Sequence, residues 1–170
     1  MTLEEAYRGR REQVLKPIAA ALEAHVIELF KDEPRIDRIK ARAKQVDSFM
    51  KKSENLDEEG QKKYAEPLEQ IQDQVGVRIV TFYLSDVERL DKAVLNYFRA
   101  VEFRAIVPES EWEFGYFGRH YILVIPPDVI EEAMDKDMVP PFSSSSLKPY
   151  FSTHGPKRNT TSATSRVSGS

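Results

Sequence analysis

Gly76-Val-Arg-Ile-Val-Thr-Phe-Tyr83 constrains the fold more than any other stretch of the chain. Most of its residues are β-branched or aromatic, a composition that predicts a strand. Directly after it, Val87, Leu90, Val94, Tyr97 and Phe98 recur at helical spacing, and Ser85 with Glu88 has capping-box spacing. Residues 101–107 and 120–125 are two further strand candidates, with a loop-like stretch, 108–119, between them. Strand, helix, strand in this order predicts an α/β sheet covered by helices. With 170 residues the chain fits one domain and can bury a core without staples.

The N-terminal third reads as helix. Thr2 with Glu5 forms a capping box, and Pro17 suits the first turn of a second helix. Ile18, Leu22, Val26, Leu29 and Phe30 follow at helical spacing and form a core face or a subunit contact, so a homo-oligomer is compatible with the pattern. His25, beside that stripe, reads as a surface or half-buried histidine. Residues 35–44 are strongly basic and predict a first strand. A helix over 46–53, a mobile loop over 54–63 and a short helix over 64–71 complete this part.

Composition removes several functions. The chain has no cysteine, which excludes a disulfide framework, a thiolate zinc site and a Cys nucleophile. No apolar run approaches the roughly 20 residues of a membrane span. The N-terminus lacks the basic start and apolar core of a signal peptide, so a cytoplasmic protein without a membrane partner is expected. A net charge of −3 gives no case for a nucleic-acid partner. All 28 acidic side chains lie at or before Asp137, whereas the last 28 residues hold four basic side chains, nine Ser and four Thr. Such a tail buries too little to order itself. Residues 1–142 therefore read as the domain and 143–170 as a disordered tail.

Three constellations carry chemistry. In Arg42-x-Lys44-x3-Ser48-x3-Lys52 the first pair has strand spacing, and Ser48 and Lys52 share a helical face. Three cations and a hydroxyl at a strand-to-helix junction form a polyphosphate cradle; the alternative is a solvated basic surface. Asp73, just before the apolar strand, is either a Mg²⁺ ligand beside phosphates or a turn residue. In Phe114-Gly-Tyr-Phe-Gly-Arg-His120, Tyr116 offers a ring to stack on a base, and His120 opens the next strand; the alternative is an aromatic loop closing on the core.

In this order the three motifs, Arg-x-Lys-x3-Ser-x3-Lys, Asp-x2-Gly-x-Arg-Ile and Gly-Tyr-x3-His, resemble the RelA/SpoT synthetase domain, and the short length resembles the small alarmone synthetases. The resemblance covers about residues 35–126. It implies a nucleotidyltransferase-like α/β fold, a mixed β-sheet flanked by helices. It also implies a GTP diphosphokinase that transfers the β,γ-diphosphate of ATP to the 3′ hydroxyl of GDP or GTP. Arg42 would then lie against adenine, and Lys44, Ser48 and Lys52 would bind the ATP phosphates. Asp73 would hold Mg²⁺, Tyr116 would stack on the acceptor guanine, and His120 would contact acceptor phosphate or ribose. Gly118 stands where the family usually has Ser.

Downstream the resemblance stops. The family continues with a strand bearing Glu-x-Gln-x-Arg/Lys-Thr and a helix bearing His-Ala-Trp-x-Glu, whose acid helps activate the acceptor hydroxyl. Neither is present here, so the fold is expected to be incomplete at its C-terminal side, lacking a strand and a helix, and no catalytic acid can be assigned. Back-translating Phe142 to Thr164 with ordinary codons, and reading two bases in, gives Leu-Glu-Leu-Gln-Ser-Lys-Thr-Leu-Phe-Gln-His-Ala-Trp-Ser-Glu. That string is the missing pattern, so a shift of reading frame near Phe142 accounts for the tail; the alternative is the genuine tail of a divergent protein. A chain so altered is expected to synthesise little or no product.

Overall fold

The computed structural model describes residues 1–106, 118–130 and 138–150. The segment 76–83 contributes β2 (Val75–Thr81), and the basic stretch before it forms β1 (Ile36–Ala43). The remaining strands are β3 (Ala100–Ile106), β4 (Gly118–Val124) and β5 (Phe142–Pro149). They make one mixed sheet in the order β1-β2-β5-β4-β3. Only the β2–β5 pair is parallel.

Helices cover one face. Residues from Leu3 to Leu29 run as α1 (Leu3–Arg10), a π-turn (Arg11–Leu15) and α2 (Lys16–Leu29), with helical backbone at both joins. The two helices expected from Pro17 are therefore one rod. The wide turn, in which the Lys16 N–H returns to the Arg11 carbonyl, accommodates a proline that has no N–H to donate. The Thr2–Glu5 capping box is present as expected. α3 (Val46–Ser53) matches its predicted span, and α4 (Pro67–Gln70) is shorter than the helix expected over 64–71. The 54–63 stretch is tied by a bridge between Leu56 and Lys62. α5 (Leu84–Tyr97) starts earlier than the Ser85–Glu88 box implied: buried Asp86, not Glu88, accepts from the N-terminal backbone, at Tyr83 N. Among the described residues no helix is long and apolar enough to cross a membrane.

The core lies between α2, α5 and the sheet. Ile18, Leu22, Val26 and Phe30 are buried there, so the stripe read as core or a subunit contact is core. They meet Val75, Val77 and Ile79 of β2, Leu147 of β5, Tyr121 and Leu123 of β4, and Val87, Leu90 and Val94 of α5. His25 is half-buried with its ring edge-on to Phe98.

The C-terminal expectation needs correction. The sheet does not end before Ser143 and does not lack its strand: Phe142–Pro149 is the central strand, paired with β2 on one side and β4 on the other. The Ser-rich composition misled because both backbone edges are satisfied by neighbours, and short hydroxyl side chains fit the crowded middle of a sheet. Ser143, Ser145 and Leu147 face the helices and are buried, while Ser144 and Ser146 alternate to the other face. The domain boundary at 142/143 therefore falls inside the sheet. The helix expected after this strand, and the rest of the tail, lie in 151–170, outside the described residues.

Candidate functional site

The face of the sheet away from the helices is basic. Alternation along β1 and β2 places Lys40 and Arg42 opposite Arg78 and Gly76, and these continue across β5 to Ser146 and Ser144. One strand further, His120 stands opposite Ser146. These residues line a cavity of about 220 Å³. No Asp or Glu is among the described residues that line it. Glu102 shares this face but stands on the edge strand β3, opposite Ile122. Gly76 keeps the floor open, because a Cβ there would sit 3.0 Å from Ser144 Oγ.

Two residue pairs beyond the Arg42–Gly76 row, three of the predicted residues converge. Asp73 accepts from Lys44 Nζ at 2.8 Å through one oxygen and from Lys52 Nζ at 2.9 Å through the other. Burial alone would raise the Asp73 carboxyl. The hydrogen bonds and charges of Lys44 and Lys52 outweigh it and hold the group below the usual aspartate value. Asp73 is thus an ionised partner of both lysines at neutral pH.

The N-terminal rod fixes this corner. Tyr7 stacks on Phe49 with ring centroids 3.7 Å apart, and its hydroxyl donates to the Lys44 carbonyl at 3.0 Å. Arg11 Nε donates to the same carbonyl at 3.1 Å, while the Lys44 N–H is held by the Gln74 carbonyl at 2.8 Å. Burial pushes the Tyr7 hydroxyl up to about 12, so it remains a donor. Sequence reading passed over Tyr7 and Arg11, which lie far from the motif in the chain; it held Arg78 inside the Asp-x2-Gly-x-Arg-Ile motif but gave it no role. Its position two residues after Gly76, on the face that Arg42 also presents, was the available signal.

His120 lies on the cavity wall, in a strand that begins two residues earlier than sequence reading places it. Its pKa is lowered, first by burial and then by Lys148 and Arg78. Lys148 is buried on the same face and its pKa is lowered by desolvation, Arg78 and Arg38. Ser48 is exposed on α3, one turn before Lys52. Tyr116 lies outside the described residues.

The Mg²⁺ expected at Asp73 does not fit the donor set. Magnesium needs a shell of oxygen ligands, usually one or two free carboxylates with waters and phosphates. Here both Asp73 oxygens are engaged by ammonium groups, and the cavity positions beside it are serine, glycine and arginine. Among the described residues no cluster of three or more His, Asp or Glu could hold a metal.

The five-stranded mixed sheet flanked by helices is a fold shared with small alarmone synthetases of solved structure. Small alarmone synthetase 1 from Bacillus subtilis matches with a TM-score of 0.60 at 18% identity, over 88% of this chain and 72% of that one. A GTP pyrophosphokinase family protein from Streptococcus pneumoniae matches at 0.61 and 16%, over 90% and 73%. The Bacillus subtilis synthetase 1 bound to its product pppGpp matches at 0.54 and 19%, over 86% and 72%. No family model and no curated protein matches the sequence.

Proposed function

We propose that the chain binds ATP and a guanine nucleotide on its basic sheet face, and that this binding serves diphosphate transfer from ATP to the 3′ hydroxyl of GDP or GTP. The observation that carries the reading is the convergence of Lys44 and Lys52 beside the Arg42–Arg78 cavity. Lys44, Lys52 and Ser48 bind the ATP phosphates. Arg42 lies against adenine, with Arg78 on the neighbouring strand. His120 and Tyr116 receive the acceptor nucleotide. The product complex of the Bacillus subtilis neighbour supports a guanine nucleotide as the second ligand.

In the transfer, the 3′ oxygen attacks the β-phosphorus of ATP, the bond to the α-phosphate bridge breaks, and AMP leaves. Most of the assistance is positioning and charge neutralisation, which arginine and lysine supply. The acceptor hydroxyl must also lose its proton, and the described cavity wall has no carboxylate to take it. The family's Glu-x-Gln-x-Arg/Lys-Thr strand corresponds to β5. In the shifted reading frame Glu falls at position 144 and Gln at 146, the two cavity-facing positions, and Leu at 143 and 145, the two core-facing ones. This chain has Ser at all four. The match between shifted pattern and strand faces supports a changed frame and a slow enzyme.

A thin-layer assay with labelled ATP and GDP tests the reading, alongside titrations of each nucleotide. Saturable binding of both with slow label transfer is the expected result. Absence of binding in a folded protein would overturn the proposal.

A further inference from the structure

The polyphosphate site and its expected metal disagree, and the disagreement has a direction. Asp73 is the one carboxylate at this end of the face among the described residues, and a metal ion would have to displace Lys44, Lys52 or both to reach it. The neighbouring rows add charge of the same sign as the ion: Arg42 and Arg78 line the cavity, and Arg38 and Lys148 follow on either side of Val80. Arg38 and Lys40 are paired, with Asp37 and Glu23 respectively, each at 3.1 Å. Ser144 and Ser146 offer only neutral oxygens. A divalent cation entering here gains no unpaired carboxylate among the described residues and meets the guanidinium groups of Arg42 and Arg78.

An anion meets the opposite situation. Metal-free triphosphate can take charge-assisted hydrogen bonds from Lys44 and Lys52, with Arg78 on the neighbouring strand. It also offsets the positive charge that, second to burial, lowers the pKa of His120 and Lys148. Mg²⁺ already bound to the triphosphate cancels part of the charge these groups recognise and occupies oxygens they would otherwise bond.

We infer that this site recognises nucleoside polyphosphates in their metal-free form, with Mg²⁺ a competitor for the phosphates and not a partner of Asp73. The inference rests on the nucleotide-binding reading above and departs from it in the role of the metal.

Calorimetric titration of the full chain with ATP, once in EDTA and once in excess MgCl₂, separates the two. ATP binds in EDTA, and Mg²⁺ weakens the binding roughly tenfold, the size of one charged contact. Affinity that is unchanged by Mg²⁺, tightened by it or dependent on it overturns this inference alone. No binding in either buffer overturns the functional reading with it. Asp73→Asn supplies a second arm: it releases both lysines, so ATP in EDTA binds at least as tightly as to the parent chain. A loss of affinity in EDTA, with an unchanged thermal melt, would contradict the competition between Asp73 and phosphate for the same ammonium groups.

Discussion

The two parts of the basic face handle charge differently. At the β1–β2 end, Asp73 neutralises Lys44 and Lys52, and Tyr7 and Arg11 clamp the Lys44 backbone from the N-terminal rod. In the middle, Arg78, His120 and Lys148 stand together beside serines, and burial first, then the neighbouring positive charge, lowers the pKa values of His120 and Lys148. The first corner is settled without a ligand, whereas the second becomes favourable once an anion arrives. If this face is the phosphate cradle proposed above, ion pairing orders one end and neighbouring positive charge makes the other receptive.

The sharpest way to break the contrast is to put acid into the serine strand. A version carrying the frame-shifted sequence from Phe142 onward places a carboxylate in the middle of the face. Restoring a general base is typically worth about 10²–10⁴-fold in rate, so label transfer in the thin-layer assay should rise by that order. Robust product from the 170-residue chain itself would show that the serine strand costs nothing.

A smaller effect belongs to the acceptor side. If Tyr116 stacks on guanine, Tyr116→Ala weakens GDP binding by roughly 1–3 kcal/mol and leaves ATP binding alone. Tyr116→Phe is nearly neutral because stacking needs the ring. Equal loss in both variants would assign Tyr116 another role.

The clamp gives the next effect. Tyr7→Phe keeps the stack on Phe49 and removes the donor to Lys44, which should cost about 1 kcal/mol in urea unfolding. No change would mean that Arg11 holds the carbonyl unaided.

The smallest signal is the His120 titration. Its folded pKa lies below 6.5, so it binds fewer protons folded than unfolded. Its contribution to stability is therefore complete above pH 6.5 and is lost as pH falls through the folded value. Histidine NMR shifts should show this low midpoint in the free protein and a rise when ATP is added. A midpoint unmoved by ATP would place the phosphates away from the middle of the face.

Much of this was legible where local pattern and environment agree. β1, α3 and β2 emerged near their observed spans because local pattern decides them, and Lys44 and Lys52 met Asp73 because the antiparallel pairing of β1 with β2 brings the residues after β1, including α3, beside those before β2. β5 was not legible. A run of four serines has the composition of a disordered tail, and only the two flanking strands make it a strand. α5 began before its predicted cap because Asp86, paired with Arg35 at 2.7 Å, competes better for the N-terminal backbone than an exposed Glu88. Tyr7 and Arg11 act through a backbone carbonyl more than thirty residues away, a contact that no spacing rule encodes.

The central claim is that Lys44 and Lys52 form the phosphate end of a nucleotide site. Titration of ATP into the parent chain and into Lys44→Ala/Lys52→Ala tests it most directly, with a thermal melt to verify folding. Each charged contact contributes on the order of 1.5–3 kcal/mol, so the double variant should lose roughly a hundredfold or more in affinity. An affinity equal to that of the parent chain would contradict the account.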